Sequence, residues 1–443
     1  MNRYTTTALA ALSLAALSAT PLLAQEALSA EQLQTEVRQL RDEVRELKAR
    51  QAAATPAAPA YTARDVDATV DSVLHDADRR SQLLAETGGF MGGWMDDKFV
   101  IRSEDGNYSM SPGVQFQFRS VTTYNQNANG GKDNTDNGFE VRRLKFSLDG
   151  TAITKNLYYN FVWATDRKTG NLVNEEAYVQ YKFADNFSLK TGQYKELIYQ
   201  ETMTSSKRVM AVERTLAAQF LFGGDAYSQG VELNYTDNNA IQALAGFSDG
   251  YNSFNTNFQD PPTNGFDFGV YGRVNYKVFG DWKSYADQTA LNNKHDLLVI
   301  GAGGDWSQAD RVNTYRHAID LQWETGPLGV FAGFVGRYTD TSGAGSNWDW
   351  AVVGQVGYML NAQWEVFGRY DYMRLDNVAS GSEDTFHEVT AGLNYYMHNH
   401  NAKVTVDVGW LPNGSPNNQD GAGILVNNGD NEYYIRGQFQ LLL

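Results

Sequence analysis

The sequence has no cysteine, which excludes a disulfide framework, thiolate metal sites and cysteine nucleophiles. Proline is scarce, at 9 of 443 residues, and after the N-terminus no apolar run approaches the roughly 18 residues that a membrane-spanning helix needs. Positive charge is in deficit: 36 Lys and Arg face 52 Asp and Glu, for a net charge of −16. That balance argues against nucleic acid as a partner, because phosphate backbones require a basic surface. Histidine is limited to 6 scattered positions and no G-x-S-x-G element is present, so no catalytic residue, resident metal or cofactor is expected. What the chain does have is aromatics (Tyr 25, Phe 22, Trp 9) and 41 Gly, a composition suited to strands and turns.

The chain opens like an exported protein. Arg3 and the short apolar run around "ALAALSLAALSA" read as a signal peptide over residues 1–24. Leu33, Val37, Leu40, Val44 and Leu47 then alternate at spacings of four and three, predicting a short coiled coil at 25–50. Glu36, Arg41, Glu43 and Lys48 flank its seam as attractive pairs. An Ala/Pro linker follows at 51–64, and Val66, Val70, Val73 and Leu74 predict a short helix within 65–87.

Within a barrel domain expected at 88–443, the rhythm changes to period two from about Asn107 to Leu443. Val114, Phe116 and Phe118 alternate with Gln115, Gln117 and Arg119; Val404, Val406, Val408 and Trp410 alternate with Lys403, Thr405 and Asp407. About sixteen such segments, from 107–124 to 431–443, predict an all-β transmembrane barrel of antiparallel strands preceded by the coiled-coil helix. Short turns after Asp149, Phe183, Thr236, Glu324, Leu360 and His398 alternate with long loops at 125–138, 196–226, 249–265, 375–383 and 412–430. The segment 279–294 breaks this rule, being long where a short turn is due. A soluble sandwich also alternates, but it needs no charged inner face. Here Trp323, Trp348, Trp350, Trp364, Tyr395 and Trp410 lie near strand ends, where an interfacial aromatic girdle belongs.

In a closed barrel the polar parity faces a wet interior. Arg119, Arg143, Lys145, Lys190, Arg273, Arg316, Arg337, Arg369 and Arg436 fall on it, as candidates for lining a pore and attracting anions. Glu176, Glu232, Asp320, Glu365, Asp371, Glu388 and Asp407 share that face, so cross-strand pairing is the alternative for each base. The loop 196–226 is too apolar to stand in water: Met203, Val209, Met210, Val212, Leu216, Phe220 and Leu221 predict that it folds back into the lumen. Lys195, Lys207, Arg208 and Arg214 would then line a constriction. A barrel hydrolase would need Ser and His together on the lipid face; His317 has that parity, but Ile319 stands two residues on.

Three stretches carry a family resemblance. "FEVRRLKFSLDGTAITKNLYYNFVWATD", "EEAYVQYKFADNFSLKTGQYKE" and "ETMTSSKRVMAVERTLA", preceded by "DGNYSMSPGVQFQF", resemble the phosphate-selective porin O/P family. The resemblance implies a sixteen-stranded homotrimeric porin of the bacterial outer membrane, in contact with its lipids and lipopolysaccharide. Small hydrophilic solutes or ions would diffuse through it, with anions or phosphate preferred. It also implies a basic strand at Arg142, Arg143 and Lys145, and basic loop positions at Lys195, Lys207 and Arg208. Arg142 has the outward parity and requires a bulge or a rim position. The family's Pro after the Gly-Gln-aromatic-Lys element is replaced by Glu196 and Leu197. The competing expectation is an envelope tether, with the periplasmic coiled coil reaching toward peptidoglycan.

Overall fold

The computed structural model describes residues 90–95, 98–127, 131–258, 266–376, 378, 382–425 and 430–443, with positions 42 and 75. The signal peptide, coiled coil, linker and helix expected before residue 88 lie outside the described residues, those two positions apart.

Sixteen antiparallel strands close into a barrel. They are β3 (Ser109–Asn125), β4 (Asn134–Ala152), β5 (Thr154–Thr165), β6 (Leu172–Ala184), β7 (Phe187–Lys195), β8 (Tyr227–Thr236), β9 (Ile241–Ser248) and β10 (Phe268–Phe279), then β11 (Leu297–Ala309), β12 (Val312–Thr325), β13 (Leu328–Thr341), β14 (Gly345–Met359), β15 (Trp364–Arg374), β16 (Thr385–His398), β17 (Ala402–Leu411) and β18 (Glu432–Leu442). Each pairs with its sequence neighbour, and β18 pairs with β3 from Glu432↔Asn125 to Leu442↔Gln115. Closure leaves no strand edge unpaired, the condition for placing a sheet in lipid. Every segment expected from the alternation is a strand here, with ends shifted by a few residues.

A hairpin, β1 (Phe90–Met95) with β2 (Lys98–Ser103), precedes the barrel and touches β3 through Ile101↔Met110 and Arg102↔Ser109. Despite the four glycines of "GGFMGGW", Phe90, Met91, Trp94 and Met95 supply side chains that can pair across a two-stranded ribbon.

Parity does what the sequence pattern demands. Outward positions such as Phe118, Val231, Ile300, Val352, Val406 and Ile435 are exposed and apolar, while Gln117, Arg119, Asp320 and Asp407 face inward and are buried. Aromatics form two belts on the outer face. At the long-loop end Trp348, Trp350 and Tyr372 are in ring contact, as are Trp410, Tyr433 and Tyr124. At the short-turn end Trp364 meets Tyr395, and Phe187 meets Phe183 and Tyr235.

Two connections do not stay outside. The long loop 196–226 enters the barrel from one end. The segment 280–296, too long for a turn by the sequence rule, tucks in from the other. Its Tyr285, Gln288, Thr289 and Ala290 are buried, and it crosses from β10 to the β16–β17 turn, where Asn292 donates to Asn399 at 2.8 Å.

Candidate functional site

The loop inside the barrel carries two short helices, α1 (Gln200–Met203) and α2 (Leu216–Phe222). Thr215 caps α2, its Oγ1 accepting from the Ala218 N–H at 3.1 Å, and Gly223 ends it in the left-handed conformation that glycine adopts without strain. Val209, Met210, Val212, Leu216, Leu221 and Phe222 are buried, each contributing up to about 1.5–3 kcal/mol by removal from water.

A folded-back loop must satisfy its backbone polar groups, and the barrel wall does this with carboxylates. Asp320 accepts from the Gln200 N–H at 3.1 Å, Asp407 from Val212 at 2.9 Å, Glu388 from Leu216 at 2.8 Å and Asp371 from Ala217 at 3.0 Å. The last two occupy the first turn of α2, where free N–H groups favour negative charge. Wall cations answer the loop carbonyls. Arg273 donates to the Ile198 oxygen at 2.9 Å, Lys403 to Val209 at 2.9 Å and Arg369 to Glu213 at 2.7 Å.

One loop side chain ties these parts together. The Glu213 carboxylate pairs with Arg119 at 2.8 Å, Arg142 at 2.6 Å and Arg143 at 2.8 Å. Burial opposes its ionisation, but the three guanidiniums outweigh that and hold the carboxyl well below the usual carboxylate range. Arg142 reaches Glu213 because it is the extra residue of a β-bulge: Gln117 pairs with Arg143 and Phe118 with Val141, leaving Arg142 without a partner on β3. A second bulge in β6 leaves Glu175 between Asn174 and Glu176, and its carboxylate accepts from the Lys145 Nζ at 2.5 Å.

All nine wall candidates face the interior. Their carboxylate partners are Glu140 and Glu213 for Arg119, Glu213 for Arg143, Glu175 for Lys145, Glu232 for Lys190 and Asp320 for Arg273. Arg316 pairs with Asp305 and Glu196, Arg337 with Asp349, Arg369 with Glu388 and Arg436 with Asp407. Among the four loop candidates, Lys195 and Arg214 share Asp225, at 2.5 and 2.9 Å. Lys207 and Arg208 have no carboxylate within ion-pair distance among the described residues. The charges that act on Lys207 are Arg208, Lys98, Asp149 and Lys145.

The loop does not fill the barrel evenly. It lies against β10–β18 and β3, where the wall charges grip it. Along β5–β10 a cavity of about 550 Å³ remains toward the short-turn end, between the wall and the loop residues Leu197 and Met203. Tyr158, Gln180, Ser188, Asn234 and Gln242 line its wall side. Sequence reasoning missed Glu213, Asp225 and Glu175 as the partners of so many bases. The available signal was the carboxylates of an otherwise apolar loop, together with the doubled "RR" and "EE" that break strand parity.

Residues 114–261 match the model of the family described as phosphate-selective porin O and P, the family that the motifs at 139–217 resemble. No curated protein matches the sequence. Among solved structures, the anion-selective porin from Comamonas acidovorans superposes with a TM-score of 0.54 at 10% identity, over 76% of this chain and 100% of its own. Salmonella typhi OmpF in complex with daunomycin gives 0.51 at 15% identity, over 79% and 100%. The trimer form of OmpT, an outer membrane protein of Vibrio cholerae, gives 0.51 at 11% identity, over 75% and 99%. At these identities the likeness shows the fold, a closed sixteen-stranded antiparallel barrel of the porin type.

Proposed function

We propose that this chain is a trimeric diffusion channel of the bacterial outer membrane that passes small hydrophilic solutes and prefers anions, phosphate among them. The observation that carries the reading is the polar cavity left between the inward loop and β5–β10, on a loop whose Lys207 and Arg208 have no carboxylate within ion-pair distance among the described residues. Most wall bases are occupied in holding the loop. The anion-attracting role therefore falls on Lys207 and Arg208, with Lys145 acting on Lys207 and Lys195 acting on Lys145; the charges of those two lysines are partly offset by Glu175 and Asp225. In a low-dielectric passage such charges act strongly on an ion, and several weak sites let it leave again.

Both the start of β3 and the end of β18 lie at the short-turn end, which supports placing that end in the periplasm, together with a coiled coil at 25–50. The family match supports both the outer-membrane setting and the preference for phosphate. The trimer form of one structural neighbour supports trimeric assembly. The tether alternative rests on residues 25–87, outside the described part of the chain, and neither the family match nor the neighbours support it.

Reversal potentials in planar bilayers, under gradients of potassium chloride and potassium phosphate, test the proposal. Anion preference is expected, and Lys207→Gln with Arg208→Gln should reduce it while folded stability stays within about 0.5 kcal/mol, because no ion pair is broken. Cation preference in the unaltered protein would overturn the anion reading, and so would an unchanged potential in the double variant.

A further inference from the structure

The open lane is chemically unlike the rest of the interior. On the gripped wall, carboxylates and guanidiniums answer one another. In the cavity along β5–β10, side-chain amides dominate. Asn156, Asn186, Asn234, Asn238 and Gln242 line it, and none of these side chains has a hydrogen-bond partner among the described residues. The Asn234 Nδ2 is buried as well as unpartnered, which costs free energy unless something else meets it. A buried polar atom left open in a preformed cavity, with further unpartnered amides around it, is what a ligand site looks like before it is filled.

The remaining lining is aromatic. Tyr158 presents a half-buried ring to the cavity, and Tyr178 lies next to it, ring centroids 6.2 Å apart. Formal charge is confined to Lys155, Lys182 and Asp185 toward the short-turn rim and to Arg273, whose guanidinium is already spent on Asp320. An amide both donates and accepts, so a row of amides suits a ligand whose groups also do both. Hydroxyl groups meet that description, whereas a bare inorganic anion only accepts. A ring face beside the amides matches the C–H face of a carbon skeleton. The cavity, at about 550 Å³, falls in the size range of small-molecule sites.

We propose that the amide-and-tyrosine cavity along β5–β10 is a binding subsite for polyhydroxylated solutes, sugars or sugar acids, on the permeation lane. The inference rests on the channel reading and deepens it. Lys207 and Arg208 would draw in charge, and the cavity would sort solutes by their hydroxyl groups. The recognised element is a run of neighbouring hydroxyls, which a neutral hexose and its aldonic acid share.

The test uses the full-length protein in planar bilayers, with glucose or potassium gluconate titrated into potassium chloride. Each variant's response is expressed as a fraction of its own open current. Glucose in the subsite narrows the lane, so the current should fall along a saturating curve. Replacing Asn234→Leu or Gln242→Leu should raise the half-saturating concentration about fivefold, the effect of losing one hydrogen bond. Tyr158→Leu should raise it by a similar factor or more, while Tyr158→Phe, which keeps the ring, should retain most of the response. If gluconate also saturates, and at lower concentration than glucose, the site favours sugar acids; if both saturate alike, neutral sugars suffice. A current that falls linearly with glucose and equally with a non-hydroxylated polyether of the same size would overturn the subsite, as would identical curves in all variants. Failure to conduct at all would instead remove the channel reading.

Discussion

The two sides of the barrel interior use the same residue types for different ends. Along β10–β18 and β3, every wall carboxylate that accepts a loop N–H is itself buried, and cations from the same wall bind the loop carbonyls. That side is a clamp. Along β5–β9 the wall meets the loop loosely and leaves amides and tyrosines facing space. The difference shows that charge inside a barrel need not be charge offered to a solute. A lumenal arginine can be structural, and its partner tells which.

Breaking the clamp should have the largest effect. Glu213→Gln leaves Arg119, Arg142 and Arg143 without their shared carboxylate and should destabilise the folded barrel by about 3–5 kcal/mol, read as a lower urea midpoint in detergent. The same change should strengthen anion preference, since three guanidiniums become available. An unchanged midpoint would mean that the loop is held elsewhere.

Acid provides a graded version of this cut. The Glu213 carboxyl titrates lower in the folded barrel than in the unfolded chain. Its contribution is therefore complete above the ordinary carboxylate value of about 4.3 and fades as pH falls below it toward the folded value. The midpoint difference between the unaltered protein and Glu213→Gln should stay level from about pH 7 to 5 and narrow below about pH 4.

Asp407→Asn is a smaller cut, because the amide oxygen can still accept from the Val212 N–H while the charge facing Arg436 is lost; about 2–3 kcal/mol is expected in the same unfolding measurement. The smallest effect is expected outside the clamp, in the β4–β5 turn. There Ile153 holds a φ of 68°, a conformation that a β-branched side chain resists, and Ile153→Gly should stabilise the barrel by about 0.5–1 kcal/mol.

Most of the barrel was legible because period two is a local signal. Lipid outside and water inside force it on every strand, so Val114 to Phe118 or Val404 to Trp410 announce their faces without help from the rest of the chain. The inward turn of 196–226 was legible for a similar reason, since Val209, Met210 and Leu216 could not remain in water. Cross-strand pairs such as Arg273 with Asp320 and Arg436 with Asp407 were also within reach of the pattern, but the loop's partners were not. Glu213 meets Arg119 across 94 residues of sequence, and Asp371 meets the Ala217 N–H across 154, separations that no local pattern records. The hairpin at 90–103 and the tucked segment 280–296 were also hidden. Glycine runs and polar turns look alike whether a chain leaves the barrel or enters its mouth.

The bulge at Arg142 has a consequence for how such a wall can change. Val141 points outward and Arg143 inward, as they would if the residue between them were absent. Arg142 is thus a supernumerary position, one that the ladder can gain or lose without turning any other side chain over. Glu175 in β6 is its counterpart of opposite sign. By accepting single insertions of this kind, a barrel of fixed strand number escapes the ceiling of one inward residue in every two, and can enrich its bore with charge while its circumference stays the same.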